Sequence, residues 1–227
     1  MIFLQAVLFL QAFTVGEKLT YTVKYGPVTA GSLTLTVAEI VPVQNDSAYH
    51  FVCELKSNPR YRFLFSVDDR LDSYARTRDL VTLRTEKRVH EGNYQQWLGA
   101  DFYYQKGIVA YSDRSEFPLL PESRDILTLW FYFRALSVKV GDLFEVISHT
   151  DKKNYAFMVK VANAERITTP LGPFNCLVLK PDVRAKGIFG KGGELIVYLS
   201  TDDKKLPVII RSKMFLGYLS ATLCSIQ

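Results

Sequence analysis

The stretch Pro121–Asp142, PESRDILTLWFYFRALSVKVGD, decides the fold, because it is the segment with a clear helical pattern in a chain that otherwise alternates like β-strand. The spacing predicts a helix over about residues 123–136. Ser123, just after Pro121, is the expected N-cap, with its hydroxyl accepting from a free amide of the first turn. Asp125 then lies where the positive end of the helix dipole favours a carboxylate, and Arg134 where the negative end favours a cation. Gly141 lies beyond the stop.

At about 100° per residue, Ile126, Leu127, Leu129, Trp130, Phe131, Phe133 and Leu136 cover roughly 220° of the circumference. A surface helix has a narrower apolar stripe, so this one requires cover on most sides, as from a curved sheet. Arg124, Asp125, Thr128 and Tyr132 hold the remaining arc. Arg134 falls inside the apolar arc and points away from Asp125, so the two cannot pair along the helix. A guanidinium there requires a carboxylate or carbonyl from the surrounding strands, since an unpaired buried charge is very costly. The first role expected of Arg134 is to fix the helix C-terminus to the sheet. The second is to meet an anionic head group at the mouth of a cavity.

Working outward, Leu19, Tyr21, Val23 and Tyr25 alternate with Thr20, Thr22 and Lys24, and Leu33, Leu35 and Val37 alternate beyond the Gly26-Pro27 turn. This is a hairpin. A third strand, Tyr49–Lys56, is broken by Asn58-Pro59. From Arg60 to Arg88 the chain is charge-dense and strand-like, with Arg60 and Arg62 expected on one face, Arg76 and Arg78 on one face, and Arg84, Glu86 and Arg88 likewise. Asp68, Asp69, Asp72 and Asp79 supply opposite charge, so this reads as a solvated face with weak ion pairs. The alternative is a basic strip for an anionic partner. Trp97–Tyr104 and Ile108–Tyr111 are further strands, and a loop leads to Pro121. Strands resume at Gly141-Asp142, Tyr155–Val161, Phe174–Leu179, Glu194–Leu199, Pro207–Met214 and Phe215–Leu223. Val15-Gly16-Glu17 and Val140-Gly141-Asp142 open the two runs, as in an internal duplication. The expected fold is mainly β: a large curved antiparallel sheet, or open β-barrel, wrapped around one central apolar helix. With no Pro/Ser-rich linker, residues 13–227 read as a single domain.

The 227 residues are 48% hydrophobic and 13% aromatic, which permits a substantial core and argues against disorder. The net charge of +5 suits an anionic surface but is too dispersed for nucleic acid, and no nucleic-acid motif accompanies it. Met1–Ala12 is apolar, uncharged and too short to span a bilayer as a helix; it reads as the remnant of a secretion signal over residues 1–12. Cys53, Cys176 and Cys224 form neither a disulfide framework nor a zinc site and read as buried thiols, with one disulfide as the alternative. His50, His90 and His149 lack ligand spacing, Gly190-Lys191-Gly192-Gly193 lacks the helix a phosphate loop needs, and Asp202-Asp203 reads as a turn. No catalytic constellation, metal site or cofactor is expected, so the chain is not read as an enzyme.

Four segments in this order, GEKLTYTVKYGPVTAGSLTLTV, RDILTLWFYFRALSVKVGD, TTPLGPFNCLVLKP and LIVYLSTDDKKLPVIIRSKMFLGYLSATL, together resemble the bacterial envelope family called domain of unknown function 3108. The matching positions include Gly16, Glu17, Gly31, Asp125, Arg134, Gly141, Gly172, Asp202 and Pro207. The resemblance implies an exported protein of the periplasm or cell envelope and no activity. Within that frame the first expectation is a binding module for a lipid or other apolar small molecule, its cavity lined by Trp130, Phe131, Phe133 and Arg134. Periplasmic lipoprotein-sorting carriers share such a shape. The alternative is a structural or interaction protein with a filled core, an envelope protein as partner and at most peripheral contact with the membrane. An apolar cavity of several hundred Å³ discriminates the two.

Overall fold

The computed structural model describes residues 12–63, 66–182, 195–213 and 217–227. Nearly all of the apolar N-terminal segment read as a signal, and the Gly190–Gly193 loop, thus lie outside the described residues. The strands are β1 (Lys18–Tyr25), β2 (Val28–Val43), β3 (Asp46–Ser57), β4 (Asp68–Arg76), β5 (Thr82–Glu91), β6 (Tyr94–Tyr103), β7 (Ile108–Tyr111) and β8 (Glu116–Pro118). After the helix α1 (Ile126–Ala135) come β9 (Leu143–Thr150), β10 (Lys153–Thr169), β11 (Gly172–Pro181), β12 (Leu195–Ser200), β13 (Pro207–Lys213) and β14 (Tyr218–Ile226). All join one 14-stranded sheet in the order β8-β7-β6-β5-β4-β3-β2-β1-β14-β13-β12-β11-β10-β9. The chain is therefore a meander whose first and last strands pair with each other, antiparallel, from Leu19↔Ile226 to Tyr25↔Leu219. The free edges are β8 and β9, on either side of α1. The architecture is an open barrel, interrupted where the helix is inserted.

The period of two explains which side chains fill it. Leu19, Tyr21 and Val23 of β1, Leu35 and Val37 of β2 and Phe51 of β3 are buried on the concave face. The helix meets this face on two sides. Leu127, Phe131 and Ala135 join a core with β1–β3, β13 and β14, while Leu129, Phe133 and Leu136 join a second core with β9–β12. Cover from both halves of the sheet is the physical reason the apolar arc is so wide.

The echo between the two halves is structural. Gly16 N–H donates to the Val37 carbonyl at 2.7 Å and Val37 N–H returns a bond to the Glu17 carbonyl at 2.9 Å. Gly141 and Val161 repeat this at 2.9 Å, with Val161 N–H donating to the Asp142 carbonyl at 2.9 Å. Gly16 and Gly141 have φ of 91° and 95°, a conformation glycine adopts without strain. The register of each long strand then shifts directly after the paired valine, between Val37 and Glu39 and between Val161 and Asn163. The first hairpin of each half is thus the same local structure.

Several elements differ from the sequence reading. Arg60 does not share a strand face with Arg62, because Pro59–Tyr61 form a 3-10 turn capped by the Asn58 side chain. Glu116–Pro118 is a short strand in what reads as a loop, drawn into the sheet by pairing with β7. The helix begins later than expected, with Asp125 rather than Ser123 as N-cap. Ser123 Oγ is instead committed to the Leu120 carbonyl at 2.8 Å.

Two glycines give a test of the packing. A Cβ on Gly31 would lie 2.1 Å from the Lys56 carbonyl oxygen, a backbone atom of the neighbouring strand. Gly31→Ala is expected to destabilise the fold by about 3 kcal/mol in urea denaturation. Gly99→Ala, whose Cβ would meet the flexible Trp97 ring at 3.4 Å and the Ser112 Cβ at 3.7 Å, should stay near wild type.

Candidate functional site

Both ends of α1 are tied to the sheet by buried polar clusters. At the N-terminus, Asp125 Oδ1 accepts from the Leu127 and Thr128 amides at 2.8 and 3.2 Å. Its Oδ2 accepts from the hydroxyls of Ser73, Thr82 and Thr128 at 2.5, 2.6 and 2.6 Å. Thr82 Oγ1 also accepts from the Asp125 amide at 2.8 Å. The carboxylate thus caps the helix, complements its dipole and binds β4 and β5, with its acceptor capacity taken up. The polar arc of the helix is buried here: Arg124, Asp125 and Thr128 are 6%, 3% and 0% exposed. Arg124 stacks 3.7 Å from the Tyr132 ring centroid and donates to the carbonyls of Glu122 and Asp79, both at 2.9 Å.

At the C-terminus, the Arg134 side chain is 1% exposed and forms a two-point pair with Glu17, Nη1–Oε1 2.5 Å and Nη2–Oε2 3.0 Å. Its remaining donors reach the Ala12 carbonyl at 2.6 Å and the Lys204 carbonyl at 3.0 and 3.2 Å. Lys205 Nζ adds a bond to the Leu136 carbonyl. Guanidinium geometry suits this site, since it satisfies a carboxylate and several carbonyls from one planar group. The Tyr21 hydroxyl has no hydrogen-bond partner among the described residues; burial, foremost, pushes its pKa far above the usual phenol value.

The four residues named from sequence as cavity lining do not converge. Phe131 stacks on Phe51 with ring centroids 3.8 Å apart and planes at 6°, and Phe13 meets it edge-on at 5.3 Å. That face is solid core. Arg134 faces its ion pair. Trp130 and Phe133 do line an apolar cleft, with Ile126 and Leu129 on the helix side and strand residues such as Phe157 and Val197 opposite, but its volume is about 20 Å³.

A second interior cavity, of about 120 Å³, lies at the N-terminal end of α1 by the sheet edges. Phe102, Tyr111, Asp125, Ile126 and His149 line it, and Lys87 and Asp151 form an ion pair at its rim at 3.0 Å. Here the break between β8 and β9 is bridged by polar bonds. Arg124 N–H donates to the Ile147 carbonyl and His149 N–H to the Arg124 carbonyl, both at 3.1 Å. Asn154 Nδ2 donates to the Pro118 carbonyl at 2.7 Å. Tyr111 Oη lies 2.8 Å from His149 Nε2 and accepts from the Lys152 amide at 2.9 Å, while His149 Nδ1 lies 2.8 Å from Asn154 Oδ1. This chain is satisfied by a neutral imidazole with its proton on Nδ1 and the Tyr111 hydroxyl donating to Nε2. Sequence reasoning missed it because His149 and Asn154 look like unremarkable strand-end residues. No cluster of three or more metal-ligating side chains occurs among the described residues.

Two predictions come from these contacts. Glu17→Ala leaves the Arg134 guanidinium buried without its carboxylate and is expected to destabilise by about 3–5 kcal/mol. In a double-mutant cycle, Glu17→Ala with Arg134→Met should be less harmful than the sum of the two single changes.

The second concerns pH. Burial lowers the His149 pKa, against the opposing bond to Asn154. Its neutral form therefore supports the fold fully above about pH 6.5, and that support is lost as the pH falls below this value. His50 is the reverse case. Its bond to Asp72 at 2.8 Å, opposed by burial and aided by Glu39, raises its pKa. That support is complete below about pH 6.5 and is lost as the pH rises through the folded value. In urea denaturation from about pH 8 to about pH 5, His149→Gln should flatten the acid-side loss and His50→Gln the opposite slope. Parallel profiles for the two variants would contradict the assignment.

The model of the family described as Protein of unknown function (DUF3108) matches residues 20–223. No curated protein matches. Among solved structures, the chain is similar to the beta-barrel-like protein of domain of unknown function DUF1849 from Brucella abortus, with a TM-score of 0.61 at 9% identity, over 94% of this chain and 97% of that one. At that identity the likeness concerns the fold.

Proposed function

The chain belongs to the DUF3108 family, and from that premise we propose that it is an exported interaction protein of the bacterial cell envelope, with a filled barrel and no enzymatic activity. The observation that carries this reading is the occupied interior. The cavities beside α1 measure about 20 and about 120 Å³. Sites for ligands of drug or lipid-fragment size run from roughly 300 to 1,000 Å³. Buried clusters at both ends of the helix oppose its withdrawal. Wider hollows, of about 670 Å³ beside Phe13, Glu17 and Lys204 and about 290 Å³ beside Trp97 and Asp101, are open clefts among the described residues.

A second reading keeps the apolar-ligand carrier. It is favoured by the wholly apolar lining of the cleft at Trp130 and Phe133, and it requires the helix to shift before a ligand can enter. Native mass spectrometry of the mature protein, with organic extraction, separates the two. The filled-barrel reading expects the apo mass from every expression condition. A stoichiometric lipid adduct, lost in a folded Trp130→Arg variant, would replace it with the carrier reading.

A further inference from the structure

We propose that the hollow on the outer wall beside Trp97, above β5, β6 and β7, binds a neutral saccharide that stacks on the indole. This goes beyond the interaction reading and does not depend on what the interior contains. The hollow measures about 290 Å³, close to the lower end of the range for small-molecule sites. The register places its parts. Successive outward side chains of β6 are Trp97, Gly99 and Asp101; opposite them on β5 stand Arg88, Glu86 and Arg84, and Ala110 of β7 lies opposite Asp101. The inward residues between them, Leu98, Ala100 and Phe102, belong to the core behind. Outward positions repeat at about 5 Å across strands and about 7 Å along one, the scale of a single pyranose ring.

Gly99 makes the floor. A glycine in mid-strand weakens a sheet, and it often marks a bulge or a close approach by backbone or ligand. No backbone demand accounts for it here. Its φ lies outside the left-handed region, and β6 pairs with β5 and β7 without a register shift. An added Cβ would meet side chains, Trp97 Cζ2 at 3.4 Å and Cη2 at 3.5 Å, then the Ser112 Cβ at 3.7 Å. The glycine lets the indole lean along the strand over it, while Trp97 stays 56% exposed.

The polar groups around the ring keep bonding capacity. Arg84 Nε donates to Asp101 Oδ1 at 2.7 Å. The terminal nitrogens of that guanidinium, and Asp101 Oδ2, have no hydrogen bond among the described residues. Glu86 has the Arg88 guanidinium at 3.7 Å, too far for a hydrogen bond. Ser112 Oγ accepts from the Gly99 amide at 3.1 Å and keeps its own proton to donate. Donors and acceptors thus stand side by side, as a ring of hydroxyls requires, since each hydroxyl both gives and takes a bond.

Charge selects against other ligands that stack. The lining holds one guanidinium, Arg84, and two carboxylates, Glu86 and Asp101, with Arg88 beside Glu86. On the same face the neighbouring strands add Arg70 bound to Asp72, and Glu116 opposite Ala110. The β7–β8 turn beyond Ser112 carries Asp113 and Arg114, one of each sign. Cations do not outnumber carboxylates, so a nucleotide stacked on Trp97 would bring its phosphate against Glu86 and Asp101. A neutral pyranose has no such conflict. Its C–H face covers the indole, and its hydroxyls meet the carboxylates and the guanidinium.

The test is isothermal titration calorimetry of the full chain with a panel of neutral tetrasaccharides: cellotetraose, maltotetraose, mannotetraose and chitotetraose. Millimolar or tighter binding of at least one is expected, with an affinity that does not change between about 0.05 and about 0.5 M salt. Trp97→Ala should weaken it at least about tenfold, as loss of a central aromatic anchor does. Ala110→Gln keeps every contact group but fills the hollow, and should block binding. Leu143→Ser, an exposed position on β9, should bind as wild type. In Trp130→Phe, Trp97 is the one tryptophan left in the chain, and saccharide should change its emission. Melting curves near wild type show that each variant is folded. No binding across the panel, or binding unchanged in Trp97→Ala and Ala110→Gln, overturns the proposal. Salt-sensitive binding of adenosine monophosphate without binding of the panel overturns it in favour of an anionic ligand. The filled interior is tested separately, by the native mass spectrum.

Discussion

A guanidinium that enters an apolar barrel must find its counter-charge and acceptors inside it, and the placement of Arg134 organises this molecule accordingly. The side chain arrives from the last turn of the helix; Glu17 arrives from the segment before β1; the carbonyls come from Ala12 and from the β12–β13 connection. Elements distant in sequence are thereby fixed at one point. Such a pair adds little net stability over well-packed apolar groups, but breaking it is severe. Its contribution is to define where the helix ends and which strands lie against it. Asp125 does the same at the other end with neutral partners, its charge met by three hydroxyls and two amides.

These anchors explain how an open barrel remains orderly. A sheet with free edges invites further strand pairing. Here β8 is only three residues long, and the segment entering the helix lies along β9 through the Arg124↔Ser148 bridge. Tyr111, His149, Asn154 and Lys152 supply the remaining links across the break. The helix is thus both the filling of the barrel and part of its closure.

The sequence made the wide apolar arc of α1 legible, and with it the need for a curved sheet. It also showed that Arg134 needed a partner, because position on a helix is local information. The identity of Glu17 was not legible, since that pairing depends on how the sheet curls. The N-cap was misread for a related reason: Ser123 has the right chemistry, but its hydroxyl is held by Leu120 O and the helix starts where Asp125 finds its hydroxyl partners. Asn58-Pro59 announced a break, and the 3-10 turn that follows took Arg60 off the strand face assigned to it. Of the named lining residues, Trp130 and Phe133 face a cleft and Phe131 faces packed rings, a difference that helical periodicity alone does not resolve.

The duplicated opening hairpin bears on where function can reside. Each half begins with a glycine-led turn that binds the long strand just before its register shift, at Val37 in one half and Val161 in the other. Two similar half-sheets closing on each other produce a wide lumen, and a lumen of this kind must be either wet, occupied by ligand or plugged by the chain itself. The helix takes the third course: its two apolar faces match the two half-sheets, and its polar ends are tied down. The interior is thereby committed to holding the two halves together.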